Sequence, residues 1–296
     1  MPAPRPPTAH GLAIALVLGL MLSGCSSDLD FAGADGQAIV NKGSDTIVNL
    51  ALAWAEAYHQ VEPGVSISVT GGGSGTGIAA LINGTVDLAN ASRQIKPEER
   101  EQAEANGITP VEFVVARDAI AIIVSPSNPV EQLTIGQLSD IYSGKIVNWT
   151  EVGGEDRPIV KLSRETNSGT HVYFLDQVLR RGDSEDKTLF SPDTLLLPSS
   201  EGITAEVRDN PNAIGYDGLG YVTSDVKVIA VAADLSGPFV LPSGDTVNNG
   251  QYPIARDLYM YAPGEPTGRV LDYLNWILGP EAQRIVSQLG FVPTSS

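Results

Sequence analysis

The stretch QAIVNKGSDTIVNLALAWAEAYH, residues 37–59, predicts a strand, a tight turn and a helix in immediate succession. Residues 37–41 are short and apolar enough to indicate a strand. The apolar residues that follow recur at helical spacing and mark one face of a helix: Ile47, Leu50, Ala51, Trp54 and Tyr58. The cluster Gly43-Ser44-Asp45-Thr46 separates the two elements, so it is predicted to lie where the helix begins.

Two further clusters of small and hydroxyl residues precede predicted helices, Gly73-Ser74-Gly75-Thr76 and Ser168-Gly169-Thr170. The first amides of a helix have no intrahelical partner, and the helix dipole places partial positive charge at the same end. Small residues let a ligand approach these amides, and Ser and Thr add hydroxyl donors. One such cluster would be an ordinary helix cap. Three clusters predict a pocket for an oxyanion, phosphate above all, that does not rely mainly on charge.

Strand-like and helix-like segments alternate along the rest of the chain, which favours an α/β fold. The most β-rich stretches, 111–115 and 119–124, are long enough to cross between two lobes. Residues 252–261 form another strand-like run that would cross back, and helices are predicted over 268–278 and 280–289. The body of about 260 residues fits either one large domain or two small ones.

The N-terminus has the pattern of a secretory signal: Arg5, an apolar run from Gly11 to Leu22, and then Ser23-Gly24-Cys25. The run is too short for a membrane-spanning helix, which needs roughly 20 apolar residues. Its Leu-Ser-Gly-Cys ending resembles the bacterial lipoprotein box, in which the cysteine carries the lipid. We therefore predict a signal peptide over 1–24, lipidation of Cys25 and a tether over 25–36. A plain signal peptide followed by a chance cysteine is the alternative.

The net charge of −17 argues against nucleic acid and anionic lipid surfaces as partners. It does not exclude an anionic ligand, because nearby amides and hydroxyls outweigh distant, salt-screened carboxylates. Cys25 is the only cysteine, so disulfides play no part in the fold. A hydrophobic content of 42% is sufficient for a packed core.

The glycine-rich segment 71–77 fits the known nucleotide-binding and catalytic motifs poorly. No Lys follows its glycines, as a P-loop requires, and Thr76 stands where a nucleophile elbow needs its second glycine. Residues 75–80 match a weak dinucleotide fingerprint, and a purely structural turn also stays open. Neither a nucleophile with its base nor a metal-binding set is apparent, since His59 and His171 are isolated and His171 is expected to be exposed or capped. We predict no cofactor and no catalytic residue.

Several motifs together resemble those of the PstS-like phosphate-binding proteins, the substrate-binding components of phosphate ABC transporters. They occur in the family's order over nearly the whole mature chain: Ser44-Asp45-Thr46, Gly73-Ser74-Gly75-Thr76-Gly77, Ala91-Ser92-Arg93, Tyr142-Ser143-Gly144-Lys145-Ile146, Asn148-Trp149, Arg164-Glu165-Thr166-Asn167-Ser168-Gly169-Thr170 and Tyr252-Pro253-Ile254-Ala255-Arg256.

The resemblance implies a type II periplasmic-binding-protein fold, in which two α/β lobes joined by a hinge close on a ligand in the cleft. Lobe I would comprise 37–118 and 255–296, and lobe II would comprise 119–254. The implied function is an extracytoplasmic, membrane-anchored lipoprotein that captures inorganic phosphate and delivers it to an ABC permease. Binding of sulfate or molybdate, and phosphate sensing without transport, are the alternatives. An enzyme such as a phosphatase is a third hypothesis.

Carried over by position, Thr46 and Ile47 match the family's first-loop phosphate contact, and Ser74 matches a hydroxyl donor. Residues 164–170 match the Arg-x-x-x-Ser-Gly-Thr segment of the second lobe. The full set of predicted phosphate-binding residues is Ser44, Asp45, Thr46, Ile47, Ser74, Gly75, Thr76, Ser92, Arg93, Arg164, Ser168, Gly169 and Thr170.

One position departs from several well-known family members, which have an Asp after Ala-Ser that accepts a hydrogen bond from the protonated phosphate oxygen. Arg93 stands there in this chain. Asp45 is the candidate replacement for this acceptor, with a simple N-cap at Thr46 as its alternative role. Structural ion pairs are the alternatives for Arg93 and for Arg164, which otherwise offers two parallel donors to an anion.

Overall fold

The computed structural model describes residues 38–294. The predicted signal peptide, the lipidation site Cys25 and the tether lie outside the described residues. No helix within 38–294 is both long and apolar enough to cross a membrane.

The strand, turn and helix predicted for residues 37–59 are confirmed within the described part. Strand β1 (Ile39–Gly43) leads directly into α1 (Asp45–Val61), which buries the predicted apolar face. Strands β2 (Ile67–Thr70) and β3 (Leu88–Ala91) pair with β1 on either side, both in parallel. Because the carboxyl ends of parallel strands meet at one edge, α1 and α2 (Ser74–Ile82) both begin at that edge of the sheet.

The two β-rich stretches at 111–115 and 119–124 are one continuous strand, β4 (Val111–Val124). Its first part pairs antiparallel with β10 (Ala255–Ala262), and its last part pairs with β8 (Ala213–Gly218) and β9 (Lys227–Ala232). We call β2, β1, β3, β10 and residues 111–119 the first half of the sheet, and residues 120–124 with the remaining strands the second half. The strand order is β2-β1-β3-β10-β4-β8-β6-β7.

The remaining elements complete an α/β fold. They are α3 (Pro97–Ala105), β5 (Gln132–Thr134), α4 (Ile135–Tyr142), β6 (Val160–Arg164), α5 (Gly169–Phe174), β7 (Leu195–Leu197), α6 (Ser200–Asp209), α7 (Gly244–Asn248), α8 (Gly268–Ile277) and α9 (Pro280–Gln288). The two C-terminal helices are confirmed. Strand β10 begins later than predicted, after Pro253, which has no N–H to donate to a strand ladder.

Each half of the sheet has its own apolar core. Trp54, Tyr58 and Tyr273 anchor the core of the first half. Tyr142, Trp149 and their neighbours form the core of the second. These aromatic side chains therefore serve packing. The predicted lobe boundaries stay a prediction, and β4 passes through the boundary at 118–119 without a break.

Candidate functional site

The three Gly/Ser/Thr clusters begin three helices, as predicted, and the helix starts meet. Helices α1, α2 and α5 have Ser44, Gly73 and Ser168 as their N-caps. Thr46 Oγ1 lies 2.9 Å from Thr170 Oγ1, which joins the start of α1 to the start of α5. The fold therefore brings together clusters that are more than 90 residues apart in the chain.

Four buried hydroxyl groups lie at this meeting point, on Thr46, Ser74, Ser92 and Thr170, and we call them the hydroxyl cluster. Ser74 Oγ lies 3.2 Å from Ser92 Oγ and accepts a hydrogen bond from the Ser92 amide at 3.0 Å. Gly169 packs so closely that a methyl group there would lie 2.3 Å from Ser74 Oγ and 2.5 Å from Ser92 Oγ. Hydroxyls and first-turn amides in this arrangement are typical of an oxyanion site.

Ser44 and Ile47 lie on either side of Asp45 and Thr46 in the chain, and both are also buried. The Ile47 side chain belongs to the core of the first half, so only its backbone faces the start of α1. Its amide lies 3.2 Å from the Ser44 carbonyl, and the Ser44 amide donates to Asn90. The Ser44 hydroxyl makes no capping hydrogen bond.

Arg164 is fully buried at the end of β6. Its guanidinium donates to Asp45 Oδ2 at 3.0 Å, to Ser200 Oγ at 2.8 Å and to two backbone carbonyls. These four bonds leave one of its five N–H groups, on Nη1, without a protein partner. Arg164 therefore forms an ion pair between the two halves of the sheet and retains one donor.

Asp45 is the first residue of α1 and does not cap it. Oδ1 accepts from the Gly72 amide at 2.7 Å, while Oδ2 accepts from Arg164. The N-cap is Ser44, so the alternative of Asp45 as a simple N-cap is wrong. The physical reason is that the charged donor and the Gly72 amide hold the carboxylate away from its own helix. Each oxygen retains a further lone pair for an added donor.

A second carboxylate, missed by the sequence analysis, lies behind Arg164. Asp217 Oδ1 accepts from the hydroxyl of Ser200, which in turn accepts from Arg164. Asp217 Oδ2 is buried with no hydrogen-bond partner. Burial raises the pKa of the Asp217 carboxyl to about 6, because desolvation outweighs the opposing effect of Arg164.

Arg256 was also missed as a site residue, although it ends the motif at 252–256. Its guanidinium donates to Asp118 Oδ2 at 2.9 Å and 3.3 Å, from Nη2 and Nε. It also donates to the Ser92 carbonyl and to Thr170 Oγ1, both at 2.9 Å. A charged pair inside β4 and β10, two otherwise apolar strands, is the signal that could have identified it.

Arg93 follows Ser92 of the hydroxyl cluster in sequence, but its side chain points to α3. It forms a close ion pair with Glu99, at 2.7 Å and 2.8 Å, and donates to the Gln94 carbonyl. The hydrogen bond from Arg93 contributes to lowering the pKa of Glu99 against the effect of burial. The structural ion pair considered for Arg93 is thus present, and its contact with a ligand stays a prediction.

The other predicted residues make local or cross-cleft contacts. The Gly75 amide donates to the Asn167 carbonyl at 2.9 Å, and Thr76 Oγ1 donates to the Gly72 carbonyl at 2.5 Å. Ser168 Oγ accepts from the Thr170 amide at 3.2 Å. The side chain of Asn167 makes a further contact between the two halves, since its amide donates to the Gly72 carbonyl at 2.9 Å.

His171 is buried rather than exposed or capped, because its ring stacks on Phe190 at 4.5 Å. Its Nδ1 lies 2.9 Å from Ser163 Oγ, which also contacts the Tyr216 hydroxyl at 2.5 Å. Burial lowers the pKa of His171. This Ser–His pair resembles a nucleophile and its base, but Ser163 is fully buried and enclosed by both partners, so a substrate cannot reach it.

Comparison with known proteins places the chain in one family. Residues 32–281 match the model of the PBP superfamily domain. The phosphate-binding protein PstS of Pseudomonas aeruginosa is 34% identical over 268 residues, covering 85% of this chain and 81% of that protein. PstS of Bacillus subtilis is 32% identical, covering 86% and 79%.

A solved structure agrees with the sequence comparisons. It is a substrate-binding protein of Clostridium perfringens, assigned to a phosphate ABC transporter and solved with bound phosphate. That protein superposes with a TM-score of 0.78 at 32% identity, over 88% of this chain and 100% of its own.

Proposed function

Because the chain belongs to the PBP superfamily, and within it to the PstS phosphate-binding proteins, we propose that it binds inorganic phosphate for an ABC transporter. The observation that carries the proposal is the meeting of three helix starts at four buried hydroxyls. Burying an oxyanion is costly unless its oxygens find donors. The hydroxyl cluster and the first-turn amides of α1, α2 and α5 supply such donors without a large net positive charge.

The proposed mechanism is closure of the two halves of the sheet around the anion. Three contacts across the cleft support it: Asp45 with Arg164, Thr46 with Thr170, and Gly75 with Asn167. We take 37–118 with 255–296 as one lobe and 119–254 as the other, with β4 and β10 as the connection. Closure would replace the water around the anion by fixed donors on both sides.

Within the site we assign the hydroxyls of Thr46, Ser74, Ser92 and Thr170 as donors, together with the backbone of 46–47 and 169–170. The amides of Ile47 and Thr170, which donate at 3.2 Å to the Ser44 carbonyl and to Ser168 Oγ, would share their hydrogens with the ligand. The remaining N–H of Arg164 would add a charged donor. Asp45 would accept the proton of hydrogen phosphate, because a carboxylate facing a fully deprotonated oxyanion is repelled and unpaired.

An anion such as sulfate or molybdate is the second candidate. Both oxygens of Asp45 already accept hydrogen bonds, from Gly72 and Arg164, which reduces the capacity of Asp45 to accept from the ligand. A site without a free acceptor would favour fully deprotonated oxyanions. Competition between phosphate and sulfate separates the two candidates.

The signal-like N-terminus supports an extracytoplasmic location, and we propose that lipid on Cys25 anchors the chain to a bacterial membrane beside its permease. The chain is proposed to bind and release phosphate without chemical change. Hydrolysis of a chromogenic phosphate ester above the level of a Thr46→Val variant would contradict that.

The test is calorimetric titration of the purified protein with phosphate, sulfate, molybdate and arsenate between pH 6 and 8. We expect one phosphate per chain and much weaker binding of sulfate. Thr46→Val and Ser74→Ala should weaken phosphate binding strongly. Thr194→Val is the matched control, since this hydroxyl is buried, unpartnered and outside the hydroxyl cluster. Absence of heat with phosphate, or equal affinity for sulfate across this range, would reject the proposal.

A further inference from the structure

Arg256 connects four elements that meet at the candidate site. From β10 it pairs with Asp118 on β4, donates to the carbonyl of Ser92 after β3, and donates to Thr170 on α5. It is 6% exposed, and its guanidinium carbon lies 5.6 Å from the centre of the Tyr173 ring. Asp118 is fully buried, so the pair holds the guanidinium in one place.

The direction of the hydrogen bond to Thr170 follows from chemistry. A guanidinium has donors and no acceptor, so Thr170 Oγ1 must accept from Arg256. Thr170 Oγ1 also shares one hydrogen with Thr46 Oγ1, at 2.9 Å. Whichever threonine donates to the other, the remaining hydroxyl hydrogen of the pair is available to a ligand. Arg256 has meanwhile taken a lone pair of Thr170 that could have accepted a proton from the ligand.

We propose that Arg256, held by Asp118, is a specificity-determining positioning residue that orients the Thr46–Thr170 pair as a donor towards the bound anion. The inference rests on the proposed function and deepens it. The hydrogen that the pair presents then favours an oxygen without a proton beside it, and Asp45 is the carboxylate that can accept a ligand proton. The preferred ligand is a dianion with at most one proton, hydrogen phosphate rather than dihydrogen phosphate.

If the Arg256–Asp118 pair only stabilised the fold, replacing it would not change the effect of a Thr170 substitution on phosphate binding. The test therefore measures the energetic coupling between this pair and Thr170. Arg256→Gln alone leaves Asp118 buried and unpaired and risks misfolding. The main variant is therefore Arg256→Gln with Asp118→Asn, which keeps a neutral contact between β10 and β4. The shorter Gln no longer reaches Thr170.

The experiment is a double-mutant cycle on the purified full chain, with Thr170→Val introduced into the wild type and into the Arg256→Gln/Asp118→Asn background. Inorganic phosphate affinity is measured by calorimetry. We expect Thr170→Val to weaken binding by about tenfold or more in the wild type, the size expected for losing a hydrogen bond to a charged ligand. In the double-variant background the same substitution should cost about threefold or less, because Thr170 has already lost its orientation. Equal fold-changes in the two backgrounds would overturn the proposal.

A second readout separates this proposal from phosphate binding itself. The wild type should lose affinity for total phosphate as the pH falls from 8 to 5.5 and dihydrogen phosphate becomes the main species. The Arg256→Gln/Asp118→Asn variant should lose less over the same range. Asp217 also titrates here and Asp118 helps to raise its pKa, so both profiles are measured with Asp217→Asn present. Parallel pH profiles would contradict the proposal but leave phosphate binding intact.

Arg256→Lys covers the case in which the double variant does not fold. A single ammonium keeps the charge but cannot serve Asp118, Ser92 and Thr170 together. We expect weaker phosphate binding, with a cooperative thermal unfolding transition showing that the ligand-free variant is still folded. Phosphate affinity equal to that of the wild type would count against a positioning role.

Discussion

Asp45 and Arg164 form an ion pair at 3.0 Å that joins the start of α1 in the first half of the sheet to the end of β6 in the second. Arg164 is fully buried and Asp45 is one-fifth exposed. The pair thus joins the two halves at a position that solvent reaches from the side of Asp45. Its two members have different expected roles, which mutation can separate.

Replacing Asp45, the proposed acceptor, tests how the site discriminates between phosphate and sulfate. Asp45→Asn keeps the shape of the side chain and replaces one acceptor oxygen by a donor N–H₂. We expect the ratio of phosphate to sulfate affinity to fall by about tenfold, the value of one hydrogen bond gained or lost at a charged group. Competition calorimetry at pH 7.5 measures it, and an unchanged ratio would remove Asp45 from the specificity mechanism.

Replacing the donor tests affinity. Arg164→Ala removes an ion pair and three further hydrogen bonds and leaves Asp45 without its charged partner. Phosphate binding should weaken by about a hundredfold or more, because both the ligand donor and the cross-cleft pair are lost. Arg208→Ala is the matched control, since this exposed arginine pairs with Asp209 far from the hydroxyl cluster. An equal effect of both variants would contradict the assignment.

Gly169 is expected to be irreplaceable for steric reasons. Gly169→Ala would place a methyl group 2.3 Å from Ser74 Oγ and 2.5 Å from Ser92 Oγ, well inside contact distance. The hydroxyls must then move, so phosphate binding should be lost or reduced by more than about tenfold. Gly64→Ala provides the comparison, because nothing lies within 4 Å of its added methyl group. Isothermal titration of both variants decides the matter, and retained affinity in Gly169→Ala would show that the site can expand.

Asp217 should make stability depend on pH in the opposite sense to a salt-bridged carboxylate. Its pKa in the folded protein, about 6, lies above the ordinary value of 3.8, so folding favours the protonated form. Its contribution to the free energy of unfolding is therefore greatest below pH 4 and is lost as the pH rises through 6. A shift of this size corresponds to about 3 kcal/mol.

Urea denaturation of the wild type and Asp217→Asn at pH 4, 5, 6, 7 and 8 measures this contribution. We expect the wild type to lose stability relative to the variant as the pH rises, with most of the change between pH 4 and 6.5. A constant difference between the two proteins would show that Asp217 does not change its protonation in this range.

Arg93 is expected to act on stability more than on binding. It forms a partly buried ion pair with Glu99 at the start of α3, and its guanidinium makes no contact with the hydroxyl cluster. Arg93→Gln should lower the melting temperature, while phosphate affinity changes by about threefold or less. A loss of tenfold or more would instead place Arg93 at the ligand, as the sequence pattern suggested.

The three helix starts were predictable because each depends on a local signal, a strand running into small and hydroxyl residues before a periodic apolar face. Their meeting was not, since no spacing along the chain shows that Thr170 lies beside Thr46. The expectation of one pocket came from the recurrence of the three clusters, and the family resemblance supported it. Local pattern therefore predicted the parts of the site, and tertiary structure supplied their arrangement.

The charged residues behind the site were missed for a related reason. Asp118 lies between the two β-rich stretches, inside the continuous strand β4, and belongs to no recognisable motif. Asp217 and Ser200 have no recognisable motif, because their role depends on partners distant in sequence. A charged side chain inside a buried strand is the one available signal. It indicates that the charge has a partner but does not identify the partner residue.

The continuity of β4 limits how the molecule can open. Strands β4 and β10 are hydrogen bonded over Ala255–Ala262, so the two halves of the sheet can turn about this ribbon but cannot slide past each other. Such a turn would lengthen the Asn49–Glu201 side-chain contact between the two halves, now 3.1 Å. A pair of spectroscopic labels near these two positions would therefore report the opening and its dependence on phosphate.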